Sequence, residues 1–92
     1  MNIDEQYESL RQKLTQDFTW PQVYMFKFII AGENTDAKNA LMFNFTSKAI
    51  IQEKASSGGK YNSITITEHM NNPESVIEVY KKVATIAGVM AL

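Results

Sequence analysis

Cysteine is absent from this sequence. That removes disulfides, thiolate nucleophiles and cysteine-ligated zinc in one step, and a reducing cytoplasm is the expected setting. Histidine occurs once, at His69. One imidazole and scattered carboxylates make no metal-ligand spacing, so no metal or cofactor is expected. A strong excess of either charge is also missing: nine Lys and Arg stand against ten Asp and Glu, for a formal net charge of -1. Such a balance supplies no general attraction to nucleic acid or to an anionic membrane. No apolar run approaches the roughly 18 residues that would span a bilayer. The stretch Met1-Asn2-Ile3-Asp4-Glu5 is acidic, unlike the basic-then-apolar profile of a secretory signal.

What is present is a globular composition, 45% hydrophobic over 92 residues, enough for one domain with a modest core. Ile3, Tyr7, Leu10 and Leu14 recur at steps of four, three and four, one face of a helix. Asn2 is its expected N-cap, Asp4, Glu5 and Glu8 lie early, and Arg11 and Lys13 lie late, in the sense the helix dipole favours. The helix is expected to end near Thr15 to Asp17. Val23 to Ala31 reads as a strand that is apolar on both faces, with Tyr24, Phe26, Phe28 and Ile30 on one side and Val23, Met25, Lys27 and Ile29 on the other. After Gly32, Asn34 or Thr35 caps a short helix through Asp36, Ala37, Ala40 and Leu41.

Thr46 to Ala55 and Tyr61 to His69 read as a hairpin around Ser56-Ser57-Gly58-Gly59. In the second arm Ile64 and Ile66 face the core, and Ser63, Thr65 and Thr67 face away. Asn72 then caps a helix with Pro73 at its first position, burying Val76, Ile77, Tyr80, Val83, Ala84 and Ala87. Gly88 stops it, and Val89 to Leu92 forms a last strand. The expected fold is α+β: a βαββαβ sandwich with a four-stranded antiparallel sheet, two helices on one face and an added N-terminal helix. Residues 1–17 form the helical extension and 18–92 the domain proper.

Chemistry is sparsely signalled. His69 falls on the polar side of a strand end, and nothing couples it to a nucleophile. Gly58-Gly59-Lys60 joins two strands, whereas a phosphate loop joins a strand to a helix. The side of the sheet away from the two later helices carries Val23, Met25, Lys27 and Ile29 beside Tyr61, Ser63, Thr65 and Thr67. One aromatic there is too few for base stacking, which argues against RNA. Val23, Met25 and Ile29 form an apolar patch that something should cover. The expected cover is the chain's own helix through Ile3, Tyr7, Leu10 and Leu14, the alternative being a second copy in a homodimer.

Several stretches resemble the small YbeD-like proteins, a family of unknown function. Trp20-Pro21 before Val23-Tyr24-Met25-Phe26-Lys27-Phe28-Ile29-Ile30 resembles that family's opening strand. Ser57-Gly58-Gly59-Lys60-Tyr61-Asn62-Ser63, running on through Ile64-Thr65-Ile66-Thr67, is similar to its hairpin, and Val76, Ile77, Tyr80 and Val83 followed by Gly88 to Leu92 to its ending. The resemblance spans Phe18 to Leu92. It implies a ferredoxin-like sheet of ACT-like character and no established catalytic activity. Gly32 to Asn44 is shorter and more polar than the family's usual helix, and the N-terminal helix is an addition. ACT-like domains commonly hold small effectors at the loop after the first strand, here Gly32-Glu33-Asn34. The expectation is therefore a non-catalytic regulatory or ligand-binding module with an unidentified small ligand. The alternative is a protein-interaction adaptor working through the edge strand or the N-terminal helix.

Overall fold

The computed structural model describes residues 3–92, and Ile3 by its backbone alone. The cap expected at Asn2 lies outside the described residues. The order is α1 (Ile3–Asp17), β1 (Gln22–Ala31), α2 (Thr35–Met42), β2 (Ile50–Ala55), β3 (Tyr61–Met70), α3 (Pro73–Val83) and β4 (Val89–Ala91), with a 3-10 turn, Ser57–Gly59, inside the hairpin. The sheet runs β2-β3-β1-β4 with every neighbour antiparallel. This is the ferredoxin-like βαββαβ arrangement, with β1 and β3 central.

One core lies between the sheet and the helices. Phe26, Phe28 and Ile30 of β1 and Ile64 and Ile66 of β3 point into it and are fully buried. Ala37 and Leu41 close it from α2, and Val76, Ile77, Val79 and Val83 from α3. The helix starts follow local chemistry. Asn34 Oδ1 accepts from the Ala37 amide at 3.1 Å, and Asn72 Oδ1 accepts from the Ser75 amide at 2.9 Å. Each removes an orphan donor of the first turn.

Helix α1 does not cover the apolar patch on the far side of the sheet. It lies on the helix side, against α3, with Leu14 buried in the core and Tyr7 and Leu10 packed at its margin. The connection into β1 explains this. Trp20 Nε1 donates to the Leu14 carbonyl at 3.0 Å, and the Phe18 and Trp20 rings pack on Tyr24. Tyr24 shares its face of β1 with Phe26 and Phe28, so the segment before the strand is committed to the core side. Arg11 Nε approaches Glu74 of α3 to 2.8 Å, off the N–H axis, so the contact is Coulombic. The helix runs on to Asp17 without a basic residue in its last turn, which places Arg11 and Lys13 mid-helix.

Two boundaries also differ from expectation. Strand β2 starts at Ile50, because Thr46–Ala49 forms a turn closed by Ala49 N–H to Thr46 O at 3.1 Å. The Thr46 amide and hydroxyl both donate to Glu68 Oε1, which diverts that segment from ladder pairing. In α3, Val79 is buried in place of Ala84 and Ala87, which are exposed. The helix ends at Val83, and α3 is wedged between α1 and the sheet, so it buries a wider arc than a single stripe.

Tyr80 of α3 sits among Tyr24, Phe26 and Phe28, its hydroxyl 3.4 Å from that of Tyr24. Burial first, and the Tyr24 contact second, push its ionisation well above the usual phenol range. The neutral phenol is thus favoured more in the folded chain than in the unfolded one. Its stabilising contribution is complete below a pH of about 10 and declines above it, as the unfolded state gains the phenolate. A Tyr80→Phe variant is expected to show a shallower fall in melting temperature across that alkaline range. An unchanged slope would mean that Tyr80 ionises freely in the native state.

Candidate functional site

Among the described residues the three helices share one side of the sheet, which leaves the other side bare. The registers assign its residues. Cα partners across neighbouring strands point to the same face. Ile50 pairs with Thr67 and Thr67 with Met25, Gln52 with Thr65 and Thr65 with Lys27. A further row crosses all four strands as Lys54, Ser63, Ile29 and Met90. With strands about 4.8 Å apart, that row is about 14 Å long. Val23, Met25, Ile50, Tyr61 and Met90 on this face are between 55% and 64% exposed. The strand residues facing this side include Lys27, Lys54 and His69 but no acidic residue.

The long row floors a hollow of about 460 Å³ at the hairpin end of the face. Ile29 and Ser63 form its base, with Tyr61, Met90 and Lys54 around it, and Ala55 and Ser56 close the end. Its lining is mostly apolar with one cation, the make-up expected of a small-molecule seat. A second hollow, of about 470 Å³, lies between α1, α3 and the edge strand β4 and is bordered by Tyr7, Leu10, Tyr80, Val83 and Val89.

The loop Gly32-Glu33-Asn34 borders neither hollow, and most of its polar groups are engaged. Gly32 N–H donates to Lys60 O at 2.9 Å, Asn34 N–H to Ala31 O at 3.0 Å, and Asn34 Oδ1 caps α2. Asn62 Nδ2 donates to Gly32 O and to Glu53 Oε2, and Glu53 is paired with Lys38 of α2. The loop is thus a junction between α2 and the hairpin. Glycine is required at 32 by close approach: a Cβ there would stand 2.2 Å from the Gly59 carbonyl oxygen. Backbone blocks that space, so Gly32→Ala is expected to destabilise the domain by about 2 kcal/mol or more, as overpacking does. Denaturant titration measures it, and a loss below about 0.5 kcal/mol, the level of an ordinary surface change, would show that the hairpin yields.

The other residues singled out in the sequence divide between the two sides. Val23, Met25 and Ile29 lie on the bare face, while Tyr7, Leu10 and Leu14 lie on the helix side. Leu14, at 2% exposure, is a core residue and offers no docking surface. The side chain of Ile3 lies outside the described residues. His69 is exposed at the end of β3, and no group of three or more His, Asp or Glu side chains gathers among the described residues.

A family model described as a protein of unknown function, DUF493, matches residues 15–92. The chain belongs to this family. DUF493 is also the YbeD-like family that the strand and hairpin motifs resemble. Among solved structures, this DUF493 chain is similar to protein HP0495 from H. pylori, determined in solution. The two are 17% identical with a TM-score of 0.66, over 82% of this chain and 85% of that one. At that identity the likeness concerns the fold. No curated protein matches the chain. Most of α1 precedes the stretch that matches the DUF493 model, which begins one residue after Leu14.

Sequence reasoning missed the hollow. The alternation of β3 already put Tyr61 and Ser63 on the bare face, but Lys54 and Met90 join them only through the pairing of β2 and β4.

Proposed function

We propose that this domain is a non-catalytic regulatory module of ACT-like type that works by binding a small ligand on the bare face of its sheet. The observation that carries this reading is the exposure of five large apolar side chains on that one face, Val23, Met25 and Ile50 toward one end and Tyr61 and Met90 toward the other, with the Gln52, Thr65 and Lys27 row between them. Large apolar side chains gathered on one face of a sheet are a usual mark of a binding surface. The loop after β1, where an ACT-like effector was expected, has most of its donors engaged internally, which favours the face as the receptive surface. His69, the one histidine, stands exposed at a strand end with no serine or carboxylate bonded to it among the described residues.

A thermal-shift screen of the full chain against amino acids and small carboxylates tests the reading. A ligand at about ten times its dissociation constant adds about 1.4 kcal/mol, roughly 6–11 °C in a domain of this size. At least one compound is expected to do so, and Met90→Glu to abolish the effect. No stabilisation by any compound at millimolar concentration would refute it.

A second reading, an adaptor that docks a protein strand, has its own observation. All six residues of β2 are exposed, and the strand is at the sheet edge. Such an edge can accept an added strand from a partner or from a second copy, the route to a homodimer. Ile51→Pro removes a backbone donor from β2. Light scattering of the two chains would then show a dimer only in the unmodified one, and monomers in both would exclude self-pairing.

A further inference from the structure

We infer that the hollow at the hairpin end of the bare face is a seat for an amphiphilic carboxylate: a compact apolar body with one anionic head. This rests on the binding reading above and names the ligand class it would take.

The size is suitable. At about 460 Å³ the hollow falls within the range of about 300–1,000 Å³ typical of small-ligand sites. Its chemistry is polarised along one row. At the β4 and β1 end stand Met90 and Ile29, and at the β2 end stands Lys54, with Ser63 between. A body resting on Ile29 and Met90 directs its head toward Lys54. The row's length, about 14 Å between its outer strands, matches a small aromatic or short alkyl carboxylate together with the lysine side chain that meets it.

The polar groups are also available. Three ion pairs form among the described residues, Arg11 with Glu8 and Glu74, and Lys38 with Glu53, and none includes Lys54. The adjacent acid on β2, Glu53, is on the opposite side of the strand, held by Lys38 and Asn62. The head-group end of the hollow therefore carries one cation and no competing anion from the strands. Tyr61 is 55% exposed at the wall; its backbone N–H donates to Ser56 Oγ, but its ring makes no ring contact and its hydroxyl no hydrogen bond among the described residues, so the ring is presented to the hollow's occupant. An ammonium head would meet Lys54 with like charge, and a neutral head would forgo the ion pair.

Titration of the isotope-labelled full chain with phenylpropanoate, phenylpropanol and phenylpropylamine, followed by NMR, tests this. The carboxylate is expected to give saturable shifts centred on Ile29, Lys54, Tyr61, Ser63 and Met90. Lys54→Gln is expected to weaken that binding about three- to five-fold, the worth of one exposed ion pair, and Lys54→Glu to favour the amine. Lys54 is exposed on an edge strand, so both variants should fold, which their spectra will show. Equal shifts from all three heads, or a Lys54→Gln variant that binds as before, would overturn the carboxylate assignment and leave the broader binding reading standing. Absence of saturable shifts in the hollow would overturn the seat itself. The broader reading falls only if the thermal-shift screen is also empty.

Discussion

Phe26→Ala is expected to lower the unfolding free energy by about 4 kcal/mol, the usual cost of emptying a buried phenylalanine site. Phe26 is fully buried, and its ring meets those of Tyr24, Phe28, Phe45 and Tyr80 at 4.8–6.2 Å between centroids. Those neighbours come from β1, α3 and the segment after α2. Collapse around the missing ring would have to move several elements together, so most of the cavity should persist. Single domains are stable by only about 5–15 kcal/mol, so this one change removes a large share of the total. The adjacent residue supplies the control. Met25 lies on the bare face at 56% exposure, and Met25→Ala should change stability by less than about 0.5 kcal/mol. Urea titrations of the two variants would show the contrast directly. Equal effects would mean that the sides of β1 are wrongly assigned.

Leu14→Ala is the second large effect, about 3 kcal/mol, or roughly 12–24 °C in melting temperature. Leu14 is 2% exposed and belongs to the same cluster as Phe26 and Val83. Its carbonyl also accepts the Trp20 indole, so helix and connection are tied at one point. The result matters because α1 reads as an extension and lies almost wholly before the stretch that matches the family. A full Leu14 effect would make α1 part of the cooperative unit. A loss under about 0.5 kcal/mol would make it an appendage. Leu10→Ala, at the half-buried margin, should fall between the two, because less apolar area leaves water there.

Much of the fold was legible because it was written in local signals. Gly58 and Gly59 carry positive φ in the hairpin turn, where L side chains are disfavoured. Asn72 and Pro73 start α3 by capping and by a preset φ, and the alternation of Ile64 and Ile66 with Ser63, Thr65 and Thr67 fixed which side of β3 is buried. What local signals do not carry is of another kind. Thr46 reads as a strand residue because nothing nearby shows that Glu68, 22 residues away, takes its amide and hydroxyl. Nor does anything local show that the backbone group lying closest to Gly32 is the carbonyl of Gly59, 27 residues on.

The feature on which function turns divides the same way. That β1 carries a second apolar face, with Val23, Met25 and Ile29, follows from the sequence alone, as does the need of α1 to bury Tyr7, Leu10 and Leu14. Periodicity specifies which residues share a side of one element, since that depends on backbone geometry within a few residues. It does not specify which sides of two elements meet. Only the tertiary structure decided that, by docking Phe18 and Trp20 on Tyr24, committing α1 to α3 and leaving the far face bare. The hollow on that face arose likewise from pairing, which set Lys54 and Met90 at opposite ends of one row across four strands.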